Sequence, residues 1–368
     1  MSHFSFRVAL LRPARSASRT GTPLHPPCAL PVRLALSRRV LRRVRQGGLV
    51  LAALATGLTL PPDHAQARPR QSHHASRPAR SSQPVFALPS GISASDTLVM
   101  PDQPFALQSW DGLPETLRQH ATAPTMTWSA VMLDDMLLAL ACRDGLVQHL
   151  APAAPASGAQ AGESPCGIPA GTSRIVLAWD QSRIGNGATD WSALWDVAQH
   201  PGKRGLRLDP RSTLEIALLA DGVAPNDIYT TLATTSGVDR AFRKLDQLRP
   251  YIVWWRTPED AARIMSSGSA LMTSTPADEL TAIGSKSGFV ALWTQSLLQN
   301  LSWAVPRNLP DADVAHIVAM LRDQPRHHND PPDKAAGKTQ SLTIDDKFWA
   351  DHWEELQQRM ENWLKQSP

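Results

Sequence analysis

Between residues 173 and 275 the chain alternates short apolar runs with amphipathic stretches whose ends are marked, and few folds accommodate that alternation. "SRIVLAW" (residues 173–179) reads as a buried strand and "GLRLD" (205–209) as a short one. "STLEIALLADG" (212–222) then reads as a helix with Ser212 or Thr213 as its N-cap and Gly222 just past its end. "SGVDRAFRKLDQLRP" (236–250) is a second amphipathic helix, stopped by Pro250, which has no N–H to continue the ladder. The run "YIVWW" (251–255) supplies the next strand. Its successor helix starts explicitly, with Thr257 as N-cap, Pro258 in the first turn and Asp260 three places on. It ends at Gly268, and "SALMTST" (269–275) returns as a strand. Strands alternating with short helices predict an α/β fold with a mostly parallel sheet, whose ligands lie beyond the carboxyl ends of the strands.

Trp254 and Trp255 stand at such an end. Successive strand residues point to opposite faces, so one indole packs inward and the other can face a cleft. A cleft indole can stack along an alkyl chain or attract an ammonium group, a contact worth about 0.5 to 2 kcal/mol. Elsewhere, "WSAVMLDDMLLALACRDGL" (128–146) carries apolar residues at helical spacing through Met132, Met136, Leu137 and Leu140 and stops at Gly145. Trp191 and Trp195 follow a capping Asp190, and Trp349, Trp353 and Trp363 dock a C-terminal helix. Glu215, inside its helix, reads as a solvated or lobe-bridging carboxylate.

Charge divides the chain unevenly. Residues 1–67 hold ten of the 37 Lys+Arg and one of the 33 Asp+Glu, leaving 27 basic against 32 acidic residues, a net charge of −5, for the rest. The body is acidic, which suits a cationic ligand and points to no nucleic-acid partner. In the leading segment a basic run, "SRRVLRRVRQ" (37–46), precedes an apolar run, "GGLVLAALATGLTL" (47–60), and then Ala65-Gln66-Ala67. These are the marks of an export signal, with residues 38 and 39 forming a twin arginine. A membrane anchor needs roughly 18 or more apolar residues, and this run is shorter. The Arg-rich, acid-poor character also fits a transit peptide, but the cleavage-site pattern favours secretion to the periplasm. Residues 1–67 are therefore expected to be a signal peptide with a basic leader. Residues 68–99, beginning "RPRQSHHASRPARSSQP", are expected to form a disordered tether, in which His73 and His74 lack a third metal ligand. Cys142 and Cys166 are the cysteines left after cleavage, and an oxidising compartment favours their pairing.

Catalytic patterns are missing. There is no Gly-x-Ser-x-Gly elbow or His-Glu-x-x-His pair, and "HPGKRG" (200–205) lacks the spacing of a phosphate loop. His327, His328 and Asp330 lie in a Pro- and Asp-rich stretch that reads as a solvated loop. The expectation is a protein that is not an enzyme and has no cofactor and no metal.

Five stretches are familiar together: "DWSALWDVAQHPGKRGLRLDPRSTLEIALLADGVAPNDIY", "GVDRAFRKLDQLRPYIVWW", "SGSALMTS", "WAVP" and "FWADHWEELQQRMENWLKQ". Over residues 141–306 and 345–366 the chain resembles the spermidine/putrescine-type periplasmic solute-binding proteins of ABC transporters. "ACRDGL" (141–146) with the later Cys166-Gly167 resembles that family's cysteine pair. The resemblance implies a type II, two-lobed α/β fold with two mostly parallel sheets flanked by helices and a hinge between lobes. The lobes would be residues 100–181 plus 296–368, and 182–295. They would close as a hinge on a polyamine such as putrescine or spermidine, or another small organic cation, and a monomer would deliver it to a membrane permease. It implies that Asp209 meets an ammonium group, with Trp254, Trp255 and Trp110 lining the cleft. The chain departs from the pattern at Pro276, where the family has an aromatic residue, at Leu301, where it has an acid, and in a compressed first lobe over residues 109–128. Those departures fit a second reading, a degenerate relative acting as an interaction or sensory module.

Overall fold

The computed structural model describes residues 83–101, 103–123, 128–150, 164–185, 187–331 and 340–366. The leader, the first part of the expected tether with His73 and His74, and the loop at 151–162 lie outside the described residues. No described helix is long and apolar enough to cross a membrane.

A first group of elements comprises β1 (Val85–Pro89), β2 (Ala106–Trp110), α1 (Pro114–Thr122), β3 (Ala130–Asp134) and α2 (Asp135–Arg143). The long strand β4 (Ile168–Asp180) leads to a second group: β5 (Arg204–Arg207), α3 (Pro210–Ala220), α4 (Ile228–Leu232), α5 (Thr235–Leu248), β6 (Ile252–Trp255), α6 (Pro258–Ser267), β7 (Met272–Pro276) and α7 (Ala277–Ile283). A second long strand, β8 (Phe289–Ala304), returns to α8 (Asp311–Arg322), β9 (His327–His328), β10 (Leu342–Thr343) and the final helix α9 (Asp346–Lys365).

The strands run β2-β1-β3-β8-β4-β7-β5-β6, with β10 on β8 and β9 on β4. Within each group the pairing is parallel, and β3–β8, β4–β8 and β4–β7 are antiparallel. Hydrogen bonding therefore runs through one continuous mixed sheet, where the sequence suggested two separate ones. Strand length is the reason: at roughly 3.3 Å per residue, β4 and β8 are long enough to run through both groups. The amino-terminal half of β4 pairs with the carboxyl-terminal half of β8, and the register breaks between Ile175 and Leu177, whose partners are Leu297 and Leu292. Val176 thus faces an excess of β8 residues, a bulge of the kind that bends a sheet.

Three expectations need correcting. Residues 128–145 are not one helix: β3 precedes α2, and Asp134 ends the strand by accepting the Leu137 N–H at 2.9 Å as N-cap. The expected tether ends before residue 85, because "VFALP" is β1, hydrogen-bonded on both sides with Phe86 and Ala87 fully buried. Four apolar residues between prolines are too few to stand out from a polar tail.

The cap of α3 is Asp209, accepting the Arg211 N–H, where Ser212 or Thr213 was expected; Ser212 sits at positive φ and the Thr213 hydroxyl turns to the Arg207 carbonyl. Elsewhere the local signals hold. Thr257 and Asp260 form a reciprocal capping box on α6. Cys142 and Cys166 are joined, Cα to Cα 5.8 Å, tying the end of α2 to the segment before β4. Helix α9 touches both groups, with Glu354 on Arg143 of α2 at 3.0 Å and Trp363 donating to Asp246 of α5 at 2.8 Å. Its carboxyl-terminal half therefore packs against the 182–295 segment, although the resemblance grouped it with the other lobe.

Candidate functional site: a charged cleft at the strand ends

A cavity of about 80 Å³ lies beyond the carboxyl ends of β1, β2, β5, β6 and β7 and over the middle of β4 and β8. Its charged and aromatic lining comes from Trp110, Asp111, Asp134, Arg207, Trp255 and Asp278. Both groups contribute.

Strand alternation separates the two neighbouring tryptophans. Trp255 faces the cavity, 2% exposed, with its Nε1 donating to Ser274 Oγ at 3.3 Å. Trp254 takes the other face and meets Trp363 edge-on, ring centroids 6.2 Å apart. Trp110 also lines the cavity, held by its Nε1 donating to the Met132 carbonyl at 3.2 Å and by an edge contact with Trp128. Asp209 is not among the lining residues. Its Oδ1 caps α3 by accepting the Arg211 N–H at 2.8 Å, and its Oδ2 lies 2.9 Å from Arg211 Nη2 and 3.5 Å from Arg207 Nη2. Burial alone would raise its pKa, but the two guanidiniums more than offset that and hold it below the ordinary carboxylate range.

Arg207 takes the place expected for an acid. It lines the cavity at the end of β5, its guanidinium 5.7 Å from the Trp255 ring centroid, and its buried Nε has no hydrogen-bond partner among the described residues. Burial lowers its pKa, partly offset by Asp209. A desolvated guanidinium with a free donor, seated on an aromatic face, is a ready anion grip. A signal for it exists in "GLRLD": Arg207 and Asp209 are two apart on a strand end, so they share a face and pre-pair.

Three carboxylates share the lining, and Asp111 is engaged at the start of α1, accepting the Leu113 N–H at 3.0 Å and the Thr116 hydroxyl at 2.7 Å. On Asp134, Oδ1 receives both the Leu137 N–H and Arg211 Nη1 at 2.8 Å, and among the described residues no hydrogen bond falls on Oδ2. Asp278 is held by Ser173 Oγ at 2.5 Å, Asn329 Nδ2 at 2.7 Å and His327 Nε2 at 2.8 Å. Burial opposes its ionisation, but these bonds outweigh it and leave its pKa below the ordinary value. His327 is thus buried against Asp278 and is no solvated loop residue. The close approach of β9 that brings it there requires Gly171, at φ +125°, because any Cβ would lie 1.9 Å from the His327 carbonyl oxygen. Leu301 and Pro276 complete an apolar floor.

Beside the cavity, which Ser90 lines, the Ser90-Gly91 turn packs closely on Glu279. A Cβ on Gly91, φ +83°, would lie 2.9 Å from the Glu279 nitrogen. Behind the cavity Glu215 is fully buried, accepting from Trp349 Nε1 at 2.6 Å and Tyr229 Oη at 3.0 Å, and burial pushes its pKa up to about 7. It links α3 to α4 and α9, the bridging alternative of the two considered. His149 lies close to Cys142 and Cys166, but their disulfide leaves no thiolate for a metal.

The charged cavity thus lies between two α/β groups joined by two long strands. Residues 105–318 match the model of the bacterial extracellular solute-binding proteins. The chain belongs to that family. Solute-binding proteins of this kind serve ABC transporters and are not enzymes. Among curated relatives, the gamma-aminobutyric acid-binding protein of Pseudomonas aeruginosa is 32% identical over 267 residues, 65% of this chain and 76% of the relative. Among solved structures, the binding protein MotA of A. tumefaciens B6 in complex with glucopine has a TM-score of 0.66 at 20% identity, covering 77% of this chain and 99% of its own. The binding protein AgtB of A. tumefaciens R10 in complex with agropinic acid has a TM-score of 0.64 at 18% identity, covering 77% and 100%. These likenesses establish a periplasmic-binding-protein fold for this solute-binding protein.

Proposed function

We propose that this protein captures a small amino acid bearing both a carboxylate and an ammonium group, with gamma-aminobutyrate as the model solute, and presents it to an ABC permease. The carrying observation is the cavity's mixed charge: Arg207 on Trp255, with a free Nε, opposed by Asp134 and Asp278 in the same lining. The guanidinium takes the carboxylate, and the acids attract the ammonium through charge-assisted hydrogen bonds. The name of the Pseudomonas relative supports the same class. Putrescine or spermidine, the solutes suggested by the sequence resemblance, offer Arg207 only like charge. The cavity also carries more built-in charge than a module without a solute requires.

On this reading the basic leader directs secretion to the periplasm. The two sides, near residues 100–181 with 296–368 and 182–295, close as a hinge about the bulge at Val176. The protein acts as a monomer. Isothermal calorimetry of the full chain with gamma-aminobutyrate, putrescine and spermidine tests the assignment. Saturable binding of gamma-aminobutyrate is expected, weakened by about 10- to 100-fold in Arg207→Met, since a hydrogen bond to a charged group is worth about 1.5 to 3 kcal/mol. Binding of putrescine with no response to gamma-aminobutyrate would return the assignment to a polyamine receptor.

A further inference from the structure

Arg211 is among the most deeply buried charges of the described residues, and it does not touch the cavity. Its side chain is 1% exposed; Nη2 and Nε reach Asp209 at 2.9 and 3.3 Å, and Nη1 reaches Asp134 Oδ1 at 2.8 Å. Its guanidinium carbon lies 5.1 Å from the centre of the Trp353 ring on α9. The two carboxylates belong to different groups of elements: Asp209 precedes α3, and Asp134 joins β3 to α2. Each also governs one charged wall of the cleft, because Asp209 holds Arg207 and Asp134 is itself in the lining.

The backbone is bent to make this connection. Arg211 has a non-helical ψ of 143°, and Ser212 is the one non-glycine at positive φ among the described residues, φ 63° and ψ −38°. Its hydroxyl is buried without a partner among the described residues. Capping α3 needs only the Asp209 carboxylate and the Arg211 N–H, so neither the inward side chain nor the strained serine follows from helix initiation. Strain of this kind persists where the surrounding structure enforces it, and it gathers at ligand clamps.

We propose that Arg211 is a positioning residue for solute capture, one buried guanidinium that sets the anion grip through Asp209 and the acidic wall through Asp134. The inference rests on the amino-acid reading of the cleft. In its absence Asp209 keeps one cationic partner, Arg207, and draws that side chain away from the cavity, while Asp134 keeps only the α2 amino terminus. Capture of the carboxylate then fails although every residue lining the cavity remains.

That mechanism makes a reciprocal prediction. Asparagine caps a helix as well as aspartate does, so Asp209→Asn removes the competing charge and spares the cap. In calorimetric titrations of the full chain with gamma-aminobutyrate, Arg211→Met should bind at least about 30-fold more weakly than the unaltered protein, and the double variant Asp209→Asn/Arg211→Met should regain at least about fivefold. If Arg211 merely supports the fold, the second substitution adds its own loss or changes nothing, and the proposal is overturned. Should Arg211→Met not fold, Arg211→Lys, which cannot span both acids, carries the same comparison. If the unaltered protein ignores gamma-aminobutyrate, the amino-acid reading fails on its own. The relay is then judged from ligand-free melting curves, in which Asp209→Asn should raise the melting temperature of Arg211→Met and lower that of the unaltered protein. Lowering both would overturn it.

Discussion

Trp255 carries a guanidinium on its face while Trp254, one residue earlier, carries a helix, and the difference follows from strand pleat alone. Substitution should separate the two tasks. Trp255→Ala removes the platform beneath Arg207 and is expected to weaken solute binding about tenfold or more, whereas Trp254→Ala loses packing on Trp363 and destabilises the fold by about 2 to 4 kcal/mol with affinity nearly unchanged. Paired calorimetry and denaturant melts check this; equal losses of affinity would contradict the facial assignment. Ser212 allows a gain. Glycine adopts φ 63° without a Cβ clash, and Ser212→Gly also removes an unsatisfied buried hydroxyl. Set against the greater flexibility of glycine in the unfolded chain, the net expectation is about 1 kcal/mol of added stability, or roughly 2 to 4 °C in melting temperature. A lower melting temperature would mean that the serine hydroxyl is satisfied and the conformation unstrained.

Among the elements, α2 and β4 depend on each other through a covalent tie. Cys142 and Cys166 are 24 residues apart, and closing a loop of that size restricts the unfolded chain by about 3 kcal/mol in the chain-entropy model. The double variant Cys142→Ser/Cys166→Ser should lose about that much in urea titration, and an unchanged midpoint would show that the tie contributes nothing. The same elements mark how far sequence reasoning reaches. Capping at Thr257 and Asp190, together with strand–helix alternation, was legible because each signal is local, whereas the cap of α3 was expected at Ser212 or Thr213 and is Asp209. β1 and β3 were not: β1 is four apolar residues between prolines, and β3 merges in sequence with the helix that follows it. The joining of two sheets into one path was hidden for a different reason, because it depends on which strands pair at long range. In the cleft, the aromatic residues could be anticipated from strand ends. Asp209 was the visible acid, yet Arg207, the group it holds, stands out as the proposed ligand contact only once Asp209 is seen to be occupied by Arg211.

For the whole molecule, buried acids set the response to pH. Burial raises Glu215 from an ordinary 4.5 to about 7, and burial with the charges of Asp134 and Asp135 raises Asp346 from 3.8 to about 7. Between about pH 4 and 7 the folded protein therefore holds protons that the unfolded chain releases, so stability falls as pH rises through that window and levels off above it. Asp209 and Asp278 act oppositely: their depressed values contribute stability that is present above the ordinary carboxylate pKa and lost as pH falls below about 4. Stability should peak near pH 4 to 5, and Glu215→Gln should flatten the decline between pH 5 and 8 in calorimetric scans. An unchanged slope would show that Glu215 is not what titrates. The turn beside the cavity has a consequence of another kind. Gly91, at φ +83°, lies against both the main-chain nitrogen and the side-chain carboxyl of Glu279, where a Cβ would meet atoms at 2.9 and 3.0 Å. The turn after β1 can pack this closely on α7 only because residue 91 has no side chain, so the spacing of these two elements beside the cavity depends on that glycine. Gly91→Ala is expected to strain that turn and lower the melting temperature by several degrees, and an unchanged melting curve would show that the contact gives way freely.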